Sequence, residues 1–326
     1  MTGSTLPAAV RVQAPARLHL GFLDLEGGLG RRFGSLGLAI EEFATTLTLR
    51  AAAADRIDGP EAARVARHLA TLRTAWGVAQ PIAVTVERAI PAHAGLGSGT
   101  QLGLALGLGL ARLVGREVTV AEVAARLERG ARSGIGVGAF SMGGFLVDGG
   151  RAPDEAAPPP IVARLPFPEA WRLVLIQDEA RQGVHGAAER AAFARLPPFP
   201  AARAAQLCRL TLMRLLPALA QAEIATVGDA LSEVQRVMGD HFAPLQGGGR
   251  FASPAVEAAL AWAQRAGAAG IGQSSWGPTG WALLPSAAAA AQLAAAGAAR
   301  FAADGLVFRP VAGRNRPGEV VTMPVV

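Results

Sequence analysis

The chain has no lysine and no tyrosine, a single cysteine (Cys208), and no block of like charges. Without lysine there can be no Walker-type P-loop, no Schiff base and no anchor for pyridoxal phosphate. Any phosphate must be held by arginine forks, backbone amides or a metal. One cysteine excludes an internal disulfide and any multi-cysteine metal site, and suits a reducing cytoplasm. Long apolar runs are also missing: the longest, Leu102 to Ala111, is about half of the ~20 residues that cross a bilayer. The opening "MTGSTLPAAVRVQAPARLHL" lacks the basic start and continuous apolar stretch of a signal peptide. The expectation is a soluble, cytoplasmic protein with no membrane contact.

What is present is arginine and glycine. All 31 basic residues are arginines, set against 25 acids for a net charge of +6, and there are 40 glycines in 326 residues. The positive balance favours anionic ligands. Because the arginines are scattered and not interleaved with aromatics, no nucleic-acid partner is expected.

The length has room for two domains. Strand-like and helix-like stretches alternate in the first half. "VRVQAPARLHL" reads as a strand in which Pro15 implies an edge or a break. A helix is predicted from about Pro60 to Trp76, a strand at "PIAVTVERAI", and a helix from about Thr100 to Val114. "TVAEVAARLERGA" carries the capping-box pattern in Thr119 and Glu122. "RSGIGVGAFSMGGFLVDGG" reads as a second glycine-dense loop feeding a strand. The proline-rich "RAPDEAAPPP" marks a boundary, giving an N-terminal α/β domain at 1–160 and a C-terminal α+β domain at 161–326. The second half is expected to hold the strand "WRLVLIQ", helices at about 201–220, 222–239, 254–267 and 286–303, and strands at "GIGQSSWG" and "GWALLP".

Three segments carry the chemistry. In "AGLGSGTQ", Gly95, Gly97 and Gly99 allow tight turns and Ser98 and Thr100 offer hydroxyls, so backbone amides and a helix N-terminus can meet an anion. The same glycines also suit a helix that packs closely, with Gly103 and Gly107 facing a neighbour. "ARLHLGFLDL" sets Arg17, His19 and Gly21 at alternate positions of one strand, ending in a glycine turn. "GIGQSSWGPTG" places Gln273, Ser274, Ser275 and Trp276 in a constrained turn with hydroxyls and an aromatic wall.

Together "PARLHLG", "PxxxGLGSG" and the C-terminal glycine turn resemble, in order and separation, the three motifs of the GHMP kinase superfamily. The resemblance implies a two-domain α/β (α+β) fold with the ligand cleft between the domains and the central motif around phosphates. Kinases of that superfamily commonly carry "SG" followed by an aspartate that activates the substrate hydroxyl; here "ARSGIGVGAF" has Ile135 and Gly136 at that place, and glycine cannot accept a proton. The segments "RLHLGFLDL", "AGLGSGTQLGLA", "RSGIGVGAF", "GGFLVDGG", "FAPLQGGGRFASP" and "GIGQSSWGPTGWAL" more specifically resemble the β-ribofuranosylaminobenzene 5′-phosphate synthase family, a branch that does not act as a kinase.

That resemblance implies a decarboxylating phosphoribosyl transfer from phosphoribosyl pyrophosphate to 4-hydroxybenzoate or 4-aminobenzoate, on the route to tetrahydromethanopterin. It implies a homodimer, magnesium or another divalent cation as cofactor, and no organic cofactor; the metal ligands are left unassigned. Arg17, His19 and Asp24 are the catalytic candidates. Arg17 and Arg132 would form phosphate or carboxylate forks, His19 would bond the leaving group or the para substituent, and Asp24 would ligate the metal or steady developing positive charge. Gly95, Leu96, Gly97, Ser98, Gly99, Thr100, Gln101, Ser133, His185, Gln246, Gly247, Gln273, Ser274, Ser275 and Trp276 complete the binding candidates. Two alternatives stay open: a small-molecule kinase that takes its carboxylate from Asp148 or Asp178, and a non-catalytic nucleotide- or anion-binding scaffold.

Overall fold

A computed structural model of the chain describes residues 7–181, 183 and 186–323. His185 and Gln182 lie outside the described residues. In chain order the first half forms β1 (Ala9–Asp24), β2 (Phe33–Ala51), β3 (Arg56–Asp58), α1 (Ala62–Trp76), β4 (Ile82–Arg88), α2 (Ser98–Leu113), α3 (Val120–Arg126), α4 (Ile135–Ser141), β5 (Phe145–Asp148) and β6 (Ile161–Leu165). The second half forms β7 (Arg172–Asp178), α5 (Gly186–Arg195), α6 (Ala201–Leu210), α7 (Leu216–Ala220), α8 (Ile224–Phe242), α9 (Pro254–Arg265), β8 (Gly270–Gln273), β9 (Gly280–Leu284), α10 (Ala287–Arg300), β10 (Leu306–Ala312) and β11 (Glu319–Met323).

Two sheets result. One joins β1 to β6 with β11 in the order β11-β1-β2-β4-β3, with β5 and β6 continuing from β2; the other is β10-β7-β9-β8. The chain's last strand thus returns to the first sheet, beside Ala9–Gln13 of β1. Pro15 does not break β1, whose register against β2 shifts between Pro15 and Arg17; β11 reaches only to Gln13, so at Pro15 the strand is paired on one side alone, the edge position that proline implies. A second shift falls between His19 and Gly21, where Gly21 has φ +133° and a Cβ would meet Val234 Cγ1 of α8 at 2.6 Å. Gly21 therefore marks a bulge under a helix rather than the end of the strand.

Helix α2 lies along β1 and β2, and its glycines are contact points: a Cβ on Gly107 would strike Val123, and one on Gly109 would strike Leu49. The close-packing role of this run is therefore real and coexists with the open first turn. On α3 the capping box of Thr119 and Glu122 is formed in both directions. "SGIGVGAF" departs from the sequence expectation of a loop, because Ile135–Ser141 is helical. Gly134, Gly136 and Gly138 sit where a Cβ would meet Pro159 O, Thr100 and Ile161, so tight packing outweighs the poor helix propensity of glycine. The predicted helix at 201–220 is interrupted by a π-helical turn at Thr211–Leu215.

Candidate active site

Four chain segments converge at one end of α2. The carbonyl oxygen of Leu96 accepts from the Arg17 amide at 3.1 Å, and that of Gly95 accepts from Arg17 Nη1 at 2.6 Å. Ser274 Oγ also donates to Gly95 O, at 2.7 Å, while accepting from the His19 amide at 3.0 Å. The Ser275 amide donates to His19 O at 3.0 Å, and the Gly183 amide donates to His93 O at 2.9 Å. Gly95 and Gly97 take φ +75° and +86°, and a Cβ on Gly95 would lie 2.5 Å from the backbone oxygen of Ser274. Only glycine allows both that conformation and that approach.

These contacts line a cleft of about 410 Å³, within the usual range for small-molecule sites. Arg17, Arg64, Arg129 and Arg132 contribute to its wall together with Ser98, Gly99 and Thr100 from the first turn of α2. A helix of 16 residues here ends, at its positive pole, among four guanidinium groups. Glu128 is the one carboxylate among the described wall residues.

His19 separates this cleft from a smaller recess of about 30 Å³. It is 4% exposed, and its Nε2 has no hydrogen-bond partner among the described residues. Burial, reinforced by the charges of Arg17 and Arg132, pushes its pKa down to about 3. It is therefore a neutral imidazole at working pH. The recess is lined by Gln235, Gln246 and Gln273 and by the rings of Phe22, Phe242 and Trp276. Gln235 receives the Gln273 amide at 2.7 Å and donates to Leu20 O at 2.8 Å, while Gln273 Nε2 reaches Gln246 Oε1 at 3.1 Å. Trp276 meets Phe193 at 5.3 Å and Phe242 at 4.7 Å between ring centroids, and the Arg132 guanidinium lies 4.6 Å from the Phe193 centroid. An aromatic wall thus runs beside the cationic cleft.

Of the residues singled out from the sequence, Arg17, His19, Gly95, Gly97, Ser98, Gly99, Thr100, Arg132, Ser133, Ser275 and Trp276 stand around the cleft, and Gln246 and Gln273 around the recess. Leu96 is buried beneath the loop, and Ser274 supports it from behind. Three candidates stand elsewhere. Asp24 lines neither space; its Oδ1 accepts the amides of Glu26 and Gly27, each at 2.9 Å, and closes a turn. Gln101 is fully buried and donates to Gly136 O at 2.8 Å, joining α2 to α4. Gly247 takes φ +75° in an open turn. Asp148 is buried, accepts from the amides of Ser35, Gly134 and Gly150 and from Ser133 Oγ, and does not line the cleft. Asp178 is held by Ser253 Oγ at 2.7 Å. The residues that sequence reading missed are Arg64, His68, Arg129, His93, Phe22, Phe193 and Gln235. The short spacing of Arg129 and Arg132 about Gly130 in "ERGARSG" offered a signal for Arg129, but α1 offers none for Arg64.

The chain matches the GHMP kinase N-terminal domain family over residues 62–144 and the GHMP kinase C-terminal family over residues 215–303. Its fold resembles homoserine kinase from Cytophaga hutchinsonii, with a TM-score of 0.67 at 20% identity over 98% of this chain and 100% of that one. It also resembles mevalonate diphosphate decarboxylase from Enterococcus faecalis, with a TM-score of 0.67 at 15% identity over 97% and 99% of the two chains. In sequence it is 32% identical to β-ribofuranosylphenol 5′-phosphate synthase of Archaeoglobus fulgidus over 85% of this chain and 88% of that protein. To the protein of the same name from Methanothermobacter thermautotrophicus it is 31% identical, over 82% and 86%. The chain therefore belongs to the β-ribofuranosylphenol 5′-phosphate synthase family, enzymes built on the two-part GHMP kinase fold.

Proposed function

We propose that this protein joins C1 of 5-phosphoribosyl 1-pyrophosphate to the ring carbon of a para-substituted benzoate that bears the carboxylate, releasing pyrophosphate and carbon dioxide. The product is an aryl C-riboside 5′-phosphate on the route to tetrahydromethanopterin. The phenol in the relatives' name favours 4-hydroxybenzoate over 4-aminobenzoate as acceptor.

The observation that carries the reading is the chemical character of the cleft: four guanidinium groups, a helix N-terminus and a neutral buried histidine beside an aromatic wall. Pyrophosphate departs with the C1–O electron pair and leaves an oxocarbenium-like ribose. The acceptor ring carbon attacks C1, and loss of carbon dioxide returns its electron pair to the ring. The group expelled from the ring is carbon dioxide rather than a proton, so no general base is needed there. What the chain must do is hold anions in line and stabilise departing negative charge, which cations and oriented amides accomplish.

In this reading the amides of Gly97 and Ser98 and the Arg17 guanidinium receive the leaving pyrophosphate. Trp276 and Phe22 flank the aryl ring, and Arg132 meets its carboxylate. His19, held neutral, offers a hydrogen bond without adding charge. Among the described residues no group of three histidine, cysteine, aspartate or glutamate side chains can cage a metal. The residues present fit a divalent cation carried on the diphosphate with Glu128 as its one protein carboxylate. When bound, such an ion would offset charge on the leaving group.

The test is benzoate-dependent release of pyrophosphate from phosphoribosyl pyrophosphate, with the product identified by mass. Release without an aryl acid, or turnover of ATP with small alcohols instead, would overturn the reading.

A further inference from the structure

The positive wall of the cleft divides at the glycine loop. On the Gly97 side stands Arg17, whose side chain a Cβ at Gly97 would meet at 3.3 Å. Gly99 is flanked instead by Arg129 and Arg64, whose Nη1 atoms lie 3.6 and 3.9 Å from the position a Cβ would take. Two guanidinium groups are thus drawn together at the same turn of α2. Burial and the charge of Arg64 act on Arg129 against the cation, with Arg67 adding to them and Glu128 opposing.

The way this pair is held is informative. No carboxylate lies within ion-pair distance of Arg129 among the described residues, although Glu128 is adjacent in the chain. His68 Nε2 lies 3.4 Å from Arg129 Nη2, and since a guanidinium only donates, the imidazole accepts. Burial of His68 beside three arginines keeps it neutral, with its pKa down to about 4. A neutral acceptor orients the guanidinium without cancelling its charge, as a carboxylate would. Arg129 Nε is buried without a partner among the described residues. Arg64, 18% exposed at its side chain, makes its one ion pair among the described residues with Glu61 through Nε at 3.3 Å, so that Nη1 remains directed toward Gly99. Bringing two partly buried cations together is unfavourable unless an anion completes the group.

We propose that Arg64 and Arg129, with His68 behind them, form a second anion subsite that takes a phosphomonoester; on the reading above, this is the 5′-phosphate of the phosphoribosyl donor. His68 is a positioning residue and does not touch the ligand. The cleft then grips one substrate at two separated phosphate groups, the pyrophosphate at the glycine loop and Arg17, the 5′-phosphate at Arg64 and Arg129.

Calorimetric titration with ribose 5-phosphate and with inorganic pyrophosphate tests the division, on wild type, R64Q, R129Q and the double variant, with circular dichroism to confirm folding and R129K to retain the charge. The ribose 5-phosphate Kd should rise about tenfold or more in each single variant and binding should vanish in the double, with the pyrophosphate Kd changed less than about threefold. Unchanged ribose 5-phosphate affinity in the folded double variant would overturn the proposal, as would no binding of it to wild type or an equal loss of pyrophosphate affinity. Arginine-dependent ribose 5-phosphate binding in a protein that does not turn over phosphoribosyl pyrophosphate would sustain the subsite while the synthase reading fell. Normal turnover by the double variant would do the reverse.

Discussion

The hydroxyl of Ser274 donates to the carbonyl oxygen of Gly95 at 2.7 Å, across 179 residues of chain. The Ser274 hydroxyl oxygen in turn accepts from the His19 amide at 3.0 Å. One side chain thereby fixes the glycine loop, the N-terminal strand and the C-terminal turn relative to one another, and those three segments carry the cleft.

Replacing Ser274 with alanine leaves Gly95 O its bond from Arg17 but orphans the buried His19 amide. The expected cost is ~1–3 kcal/mol of folding stability, together with a fall in kcat/KM as the three segments lose their common tie. Urea unfolding and steady-state kinetics on S274A check both. Unchanged values for both would mean that the bridge neither stabilises nor positions the cleft.

Arg17→Ala removes the guanidinium that grips Gly95 O and faces the glycine loop. Transition-state stabilisation should drop by about 2–5 kcal/mol, read from kcat/KM. Pyrophosphate affinity should weaken in parallel. A variant with wild-type kinetics would take Arg17 out of the reaction.

At Gly97, φ is +86° and a Cβ would lie 3.3 Å from the Arg17 side chain. Gly97→Val imposes a left-handed conformation on a β-branched residue and displaces Arg17. Turnover should be lost while circular dichroism shows a folded protein. Full activity in G97V would separate the loop from the chemistry.

The pH dependence follows from His19 and His68. Both are neutral in the folded protein, with pKa values pushed down to about 3 and about 4, against 6.5 for an exposed histidine. Below pH 6.5 the unfolded chain takes up protons that the folded one refuses. The stability that these residues contribute is complete above that pH and is lost as pH falls toward 3. Each contributes a slope of about 1.4 kcal/mol per pH unit within its own window. Denaturation of wild type and H19Q between pH 7.5 and 4.5 should show the steeper loss in wild type. Equal slopes would mean that His19 titrates as an exposed histidine.

Local signals explain what could be read from the sequence. The glycine loop, the Thr119 and Glu122 capping box and the N-terminal strand are each contained within a few residues, and each is formed. Helix α4 was hidden because its glycines disfavour a helix locally and only Thr100, Pro159 and Ile161 explain them. The short β11 holds the strand formers Val320, Val321 and Thr322, but it is exposed along its length and finds its partner only at the far end of the chain, in Ala9–Gln13 of β1. Within the site, Arg17, His19 and the 273–276 turn could be singled out as polar groups flanked by glycine. Their joining could not, since His19 and Ser274 are 255 positions apart. Arg64 and His68 lie on a helix whose sequence resembles any amphipathic surface helix, and only the fold brings them to Arg129. Asp24 shows the converse: an acid in a motif-like segment whose carboxylate closes a local turn.

The proposed decarboxylating transfer is checked by counting carbon dioxide released from carboxyl-labelled 4-hydroxybenzoate, with magnesium and phosphoribosyl pyrophosphate and an ATP-only reaction alongside. Release should require both substrates and should not require ATP. No release from 4-hydroxybenzoate or from 4-aminobenzoate, with ATP consumed in the presence of a small alcohol, would contradict it.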